Sequence, residues 1–89
     1  MSKIVRPANV RQLSHIVELD NGKSWYLVDS RDLRNSELGG GLEIMVFKVR
    51  KRSGTVSDWK KPVFEEHLGS YEELYTRHHH LCEHLEQFI

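Results

Sequence analysis

The sequence predicts an α+β fold: a four-stranded, mainly antiparallel sheet with a C-terminal helix packed on one face. Three observations lead there. Short runs rich in β-branched and aromatic residues fill the chain as far as Leu68, the apolar period changes from two to 3.6 at Gly69, and Ser70 followed by Glu73 writes a capping box at the change. With 89 residues and no linker or internal repeat, one domain over residues 1–89 with one core is expected.

The first two strands are Ser14–Leu19 (SHIVEL) and Ser24–Ser30 (SWYLVDS), joined by DNGK, whose Asn21-Gly22 supplies the positive φ of a tight hairpin turn. They should pair antiparallel. Residues 31–41 (RDLRNSELGGG) are polar and end in three glycines, the composition of a mobile loop with at most one helical turn. Leu42–Lys51 is the strongest strand signal. Leu42, Ile44 and Val46 point to one face and Met45, Phe47 and Val49 to the other, so its first part should lie centrally with both faces covered. A turn at Ser53-Gly54 should then return the chain as a fourth strand through VSDWKKPVFEEHL, with Pro62 at its start or on an edge because proline cannot donate to a ladder. In the helix, Tyr71, Leu74, His78, Leu81, Cys82, Leu85 and Ile89 fall on one apolar stripe with His78 at its centre.

The stretch HHHLCEH, residues 78–84, is the densest chemistry in the chain. At about 100° per residue, His78 and Cys82 share the buried stripe while His80 and His84 form an exposed pair on the opposite face, so one ion cannot take all four. Either i, i+4 pair needs a further ligand from elsewhere, with His67, His15 and Glu86 as candidates. The expectation is no metal site and no cofactor. His78 should be a neutral core imidazole bonded to a backbone carbonyl or to a side chain of the sheet, and Cys82 a small hydrophobe beside it. His79, His80 and His84 should behave as exposed imidazoles. His80-Leu-Cys-Glu83-His84 fits the inverted zinc-protease pattern, but its ligands would face solvent on the last helix of a short chain. A Cys–His nucleophile lacks an orienting third group. No catalytic residue is assigned, and the reading is that the protein is not an enzyme.

Formal net charge is zero but unevenly spread: residues 1–64 carry twelve Lys/Arg against seven Asp/Glu, whereas residues 65–89 carry Arg77 against six Glu. A basic sheet should therefore meet an acidic helix, leaving solvated charged faces. Lys48, Arg50 and Arg52 would share one face if their strand continued, with Trp25, Tyr26 and Trp59 as stacking groups, a combination used on nucleic acid. Neutrality argues against that use. No apolar run approaches a membrane helix, the N-terminal residues lack the apolar core of a signal peptide, and a single cysteine forms no internal disulfide. A soluble, cytoplasmic protein is expected.

Glu43-Ile44-Met45-Val46-Phe47, then Gly54, Asp58-Trp59, Ser70-Tyr71-Glu72-Glu73 and His78 together resemble a group of small uncharacterised proteins of phages, prophages and Gram-positive bacteria. Members read E-T-M-V-F, a turn, a D-W-like pair, a Ser/Thr cap with acidic residues, and a Gly-His in the last helix. The resemblance covers roughly residues 43–84. Here Ile44 replaces the usual Thr, Leu68 a Tyr, Leu74 an Ala, and Arg77 the Gly before the histidine. The resemblance implies a phage or mobile-element origin and carries over no catalytic residue. The resulting expectation is a non-enzymatic cytoplasmic interaction protein, a phage-type accessory factor binding a host protein or itself. Its candidate contact surface is Arg31, Arg34, Glu37, Lys48, Arg50, Arg52, His80 and His84. The alternative is nucleic-acid binding by the basic hairpin of residues 48–61.

Overall fold

In the computed structural model, residues 2–9, 12–19, 22–34 and 40–89 are described. Among them, β1 (Lys3–Pro7), β2 (Leu13–Leu19), β3 (Ser24–Asp32), β4 (Leu42–Val49) and β5 (Phe64–Leu68) form one sheet in the order β1-β2-β3-β4-β5. Every neighbouring pair is antiparallel. The α+β class stands, and the sheet has five strands where the sequence predicts four. The additional strand is β1: five residues ending in proline, all exposed, with a bulge between Ile4 and Arg6. Such a segment has no apolar face for periodicity to reveal.

What fixes β1 is the residue before it. Ser2 is buried beneath the end of the helix α1 (Tyr71–His84), where its hydroxyl donates to the carbonyl of Cys82 (2.7 Å) and accepts from the N–H of Leu85 (2.9 Å). The Ser2 N–H donates to Glu86 (3.0 Å). Backbone groups at a helix end need partners, and here the opposite end of the chain supplies them.

Strand β4 is covered on both sides, as its alternation predicts, and lies inside the sheet between the central β3 and the edge strand β5. Leu42, Ile44 and Val46 join Val17, Leu19 and Val28 under Leu74, Leu81, Cys82 and Leu85 of the helix. Phe47 and Val49 join Ile16 and Leu27 on the reverse face. Residues 50–63 cover that reverse face, with the Trp59 ring 5.0 Å from that of Phe47.

The return to β5 differs from expectation. The Arg50 N–H donates to the carbonyl of Thr55 (2.9 Å), Val56 makes a single bridge to Val49, and the side chain of Asp58 then accepts from the Lys60 N–H (2.9 Å). An aspartate turned onto its own backbone competes with a ladder, so the strand starts at Phe64, just past Pro62. Because β4 ends at Val49 and Arg52 occupies the turn with φ 81°, Lys48, Arg50 and Arg52 do not share a strand face. Gly54 has φ 69°, a left-handed conformation that favours glycine; the Arg6 guanidinium, 2.8 Å from where a Cβ would stand, is the end of an exposed side chain that can move aside. Gly22, with φ 85°, has the predicted hairpin-turn conformation; Asn21 lies outside the described residues.

The helix starts at the predicted cap. The Ser70 hydroxyl accepts from the Glu73 N–H (3.2 Å), and the Glu73 carboxylate accepts from the Gly69 N–H (3.2 Å), one residue before the cap itself. Leu74, His78, Leu81, Cys82 and Leu85 are buried; Tyr71 and Ile89 are not. Tyr71 has the right angle but borders an open cleft rather than a strand. Ile89 follows a 3-10 turn at Leu85–Gln87, whose tighter winding rotates it off the stripe. No helix of the described residues is long and apolar enough to cross a membrane.

Candidate functional site

The chemistry converges on His78, which has no exposed surface. Antiparallel register between β2 and β3 sets Leu13 opposite Ser30 and His15 opposite Val28, so Ser30 and His15 are diagonal neighbours. His15 also has the parity of Val17 and Leu19, which places it on the helix side of the sheet. His78 descends between the two. Its Nδ1 lies 2.7 Å from the Ser30 hydroxyl and its Nε2 lies 2.7 Å from His15 Nδ1. One proton occupies each of these hydrogen bonds, and both ring nitrogens are satisfied. Burial first, then the proximity of His15 and His79, lowers the His78 pKa to about 3. The neutral core imidazole predicted from the helix angle is present, with side chains rather than a carbonyl as partners.

Cys82 lies one helical turn beyond His78 and is buried, and that burial pushes its thiol up to about 12, with Glu83 adding to the effect. The ligand atoms of His15, His78 and Cys82 all lie within 4.8 Å of one another. His15 is half-buried and its pKa is lowered, by burial first and by His79 second. His79 departs from the exposed position expected of it. Its ring sits 4.5 Å from Tyr75 and 5.6 Å from His78, and its buried Nε2 has no hydrogen-bond partner among the described residues.

The remaining histidines are separate. His80 and His84 stack at 5.0 Å on the other flank of the helix, His80 exposed and His84 half-buried. Glu83 is 3.9 Å from His84 and exposed; of the protease-like trio His80 alone lines the neighbouring cleft, together with Glu66, Glu73 and Arg77, while Glu83 and His84 do not.

Near the helix N-terminus, Gln12, Leu13, Arg31, Asp32, Leu33 and Tyr71 surround a cleft of about 480 Å³, which Ser30 and Leu74 also line. Arg31 is held there by Asp29, a buried carboxylate that accepts from its Nε at 2.8 Å. Arg34 is exposed and pairs with Asp32 through two contacts of 2.9 and 2.7 Å. Glu37 lies outside the described residues. Lys48, Arg50 and Arg52 are exposed at the far end of the sheet, so the predicted contact residues fall into three separate regions rather than one. Sequence reasoning passed over Ser30, Tyr71 and Tyr75 as site residues. Tyr71, which lines the cleft, and Tyr75, one helical turn on and against His79, are each about half exposed. The period-2 parity of His15 and Ser30 was the available signal for the buried network.

In comparisons with known proteins, no family model, no curated protein and no solved structure matches the chain.

Proposed function

We propose that this chain is a non-enzymatic interaction protein that binds a partner protein at the cleft beside Tyr71 and Tyr75. The carrying observation is a cleft lined by the half-exposed Tyr71 and by Arg31, which the buried Asp29 holds in place, with the half-exposed Tyr75 one helical turn further on. Tyrosine and arginine offer large contact area and directed hydrogen bonds at modest entropic cost, which is why they concentrate at interfaces. A non-enzymatic reading is supported by the most chemically equipped group, His78, being fully enclosed with both nitrogens engaged. The resemblance to small phage-type proteins supports an accessory factor acting on a host protein in the host cytoplasm.

The test compares capture from host lysate by the wild-type protein and by Tyr71→Ala/Tyr75→Ala. One stoichiometric protein retained by the former and lost by the latter is the expected result. Equal capture by both sinks the assignment of this surface.

A second reading rests on Trp59, 58% exposed and followed in sequence by the exposed Lys60 and Lys61, on the segment that also carries the exposed Arg50 and Arg52. An aromatic ring among cations suits a single-stranded nucleic acid. Its signature is affinity that falls steeply with salt; absence of a mobility shift at low salt removes it.

A further inference from the structure

We propose that His15, His78 and Cys82 form a binding site for one borderline-to-soft transition-metal ion, Zn(II) in the first instance, which staples β2 to the helix. Three donors of suitable type already converge from two rigid elements. Zinc takes imidazole nitrogen at about 2.0–2.1 Å and thiolate sulfur at about 2.3 Å, which places tetrahedral nitrogens about 3.3 Å apart. His15 Nδ1 and His78 Nε2 are 2.7 Å apart. Opening that contact by roughly half an ångström makes room for the ion, at the cost of one hydrogen bond.

The surroundings suit a ligand set. When Ser30 accepts from His78 Nδ1–H, the lone pair of His78 is confined to Nε2, the atom facing His15. Outer hydrogen bonds of this kind orient metal-binding imidazoles. Cys82 loses its thiol proton to solvent as the metal–sulfur bond forms, and the cation replaces the proton as the charge neutralising a buried sulfur. Two neutral imidazoles and one thiolate leave a fourth coordination position. A further donor is at hand in His79, whose ring lies 6.2 Å from that of His15 and 5.6 Å from that of His78 and whose Nε2 has no hydrogen-bond partner among the described residues. His15 comes from a strand that precedes the helical pair by more than sixty positions, so a complete site reports the native tertiary contact. This inference goes beyond the proposed interaction role and does not depend on it.

The test is titration of the full-length, reduced, chelator-treated protein with Co(II), a spectroscopic stand-in for Zn(II). Expected are a thiolate-to-cobalt charge-transfer band and strong four-coordinate visible bands, saturating at one equivalent and displaced by Zn(II). His80→Gln/His84→Gln keeps both signals. Cys82→Ala loses the charge-transfer band, and His15→Gln, at a half-exposed position, weakens binding at least tenfold; circular dichroism checks the fold of each. The proposal is overturned if no thiolate band appears, or if binding disappears with His80 and His84 and survives loss of His15, which is adventitious binding by the surface pair.

Discussion

The Ser30 hydroxyl lies 2.7 Å from Nδ1 of His78, joining the end of β3 to the middle of the helix across 48 positions of sequence. Both residues are buried, so neither can substitute water for the other. Ser30→Ala should therefore destabilise the protein by about 1–3 kcal/mol, the cost of leaving a buried polar group unpaired, and more than a surface serine would. Chemical denaturation measures it. A midpoint unchanged from wild type would show that the ring finds another partner.

Ser2 tests the clasp at the other end of the helix. Ser2→Ala removes the acceptor of the Leu85 N–H and the donor to the Cys82 carbonyl at once. A loss of about 1–2 kcal/mol is expected, with faster amide exchange at Leu85 and along β1, since the strand has no buried side chains of its own. Unchanged exchange at both places would mean that β1 is held by its ladder alone.

Arg31 and Arg34 should behave differently although both pair with an aspartate two residues away. Asp29 is 5% exposed in its side chain, whereas Asp32 is 35% exposed. Arg31→Ala leaves a buried carboxylate without its cation and should cost about 1–2 kcal/mol, below the full penalty for a buried pair because Arg31 itself reaches solvent. Arg34→Ala should cost under about 0.5 kcal/mol. Parallel denaturation curves decide it; equal losses would show that burial of Asp29 is not what matters.

The same contrast between local and long-range information explains what could be read from the sequence. Val46 and Phe47 were legible as core on opposite faces because alternation is a property of the strand alone. Ser70 was legible as a cap because a capping box spans four residues. His78 was legible as buried from its helical angle, while its partners were not. Ser30 and His15 become neighbours only through the β2–β3 register, which one residue of slippage would reverse. Strand β1 was invisible because its order comes from Ser2 beneath the helix end, a contact over 80 positions. The end of β4 was misread since Lys48, Val49, Arg50 and Lys51 continue the strand composition, and only the Arg50–Thr55 turn cuts the ladder.

The helix cap gives a further quantitative check. Ser70→Ala should cost about 1 kcal/mol, because the Glu73 N–H loses its acceptor at a position open to partial rescue by water. Glu73→Gln should cost less, since the contact to the Gly69 N–H can be made by an amide oxygen. If Glu73→Gln proved the more damaging, the carboxylate charge at the helix N-terminus, rather than the hydrogen bond, would be the stabilising element.

The pH dependence of stability follows from His78 in the metal-free protein. Its folded pKa is about 3, against 6.5 for the free imidazole. Between those values the unfolded chain binds a proton that the folded chain does not, so stability rises with pH across that window. The contribution is fully present above about 6.5, declines as pH falls, and stops declining once the folded protein takes up the proton near 3. Each pH unit inside the window is worth at most about 1.4 kcal/mol from one group. His15, also lowered by burial and then by His79, adds an effect of the same sign. Glu66, Glu83 and Glu86 carry charges on the surrounding surface, so replacing His78 is what separates the imidazole's contribution from theirs. His78→Gln should start from lower stability but lose much less between pH 7 and 5. Denaturation at half-unit pH intervals in the presence of a chelator, with NMR titration of the imidazole ring protons, measures both. If His78 titrates near 6.5 in the folded protein, the hydrogen bonds to Ser30 and His15 do not hold it neutral, and the acid loss of stability must come from elsewhere.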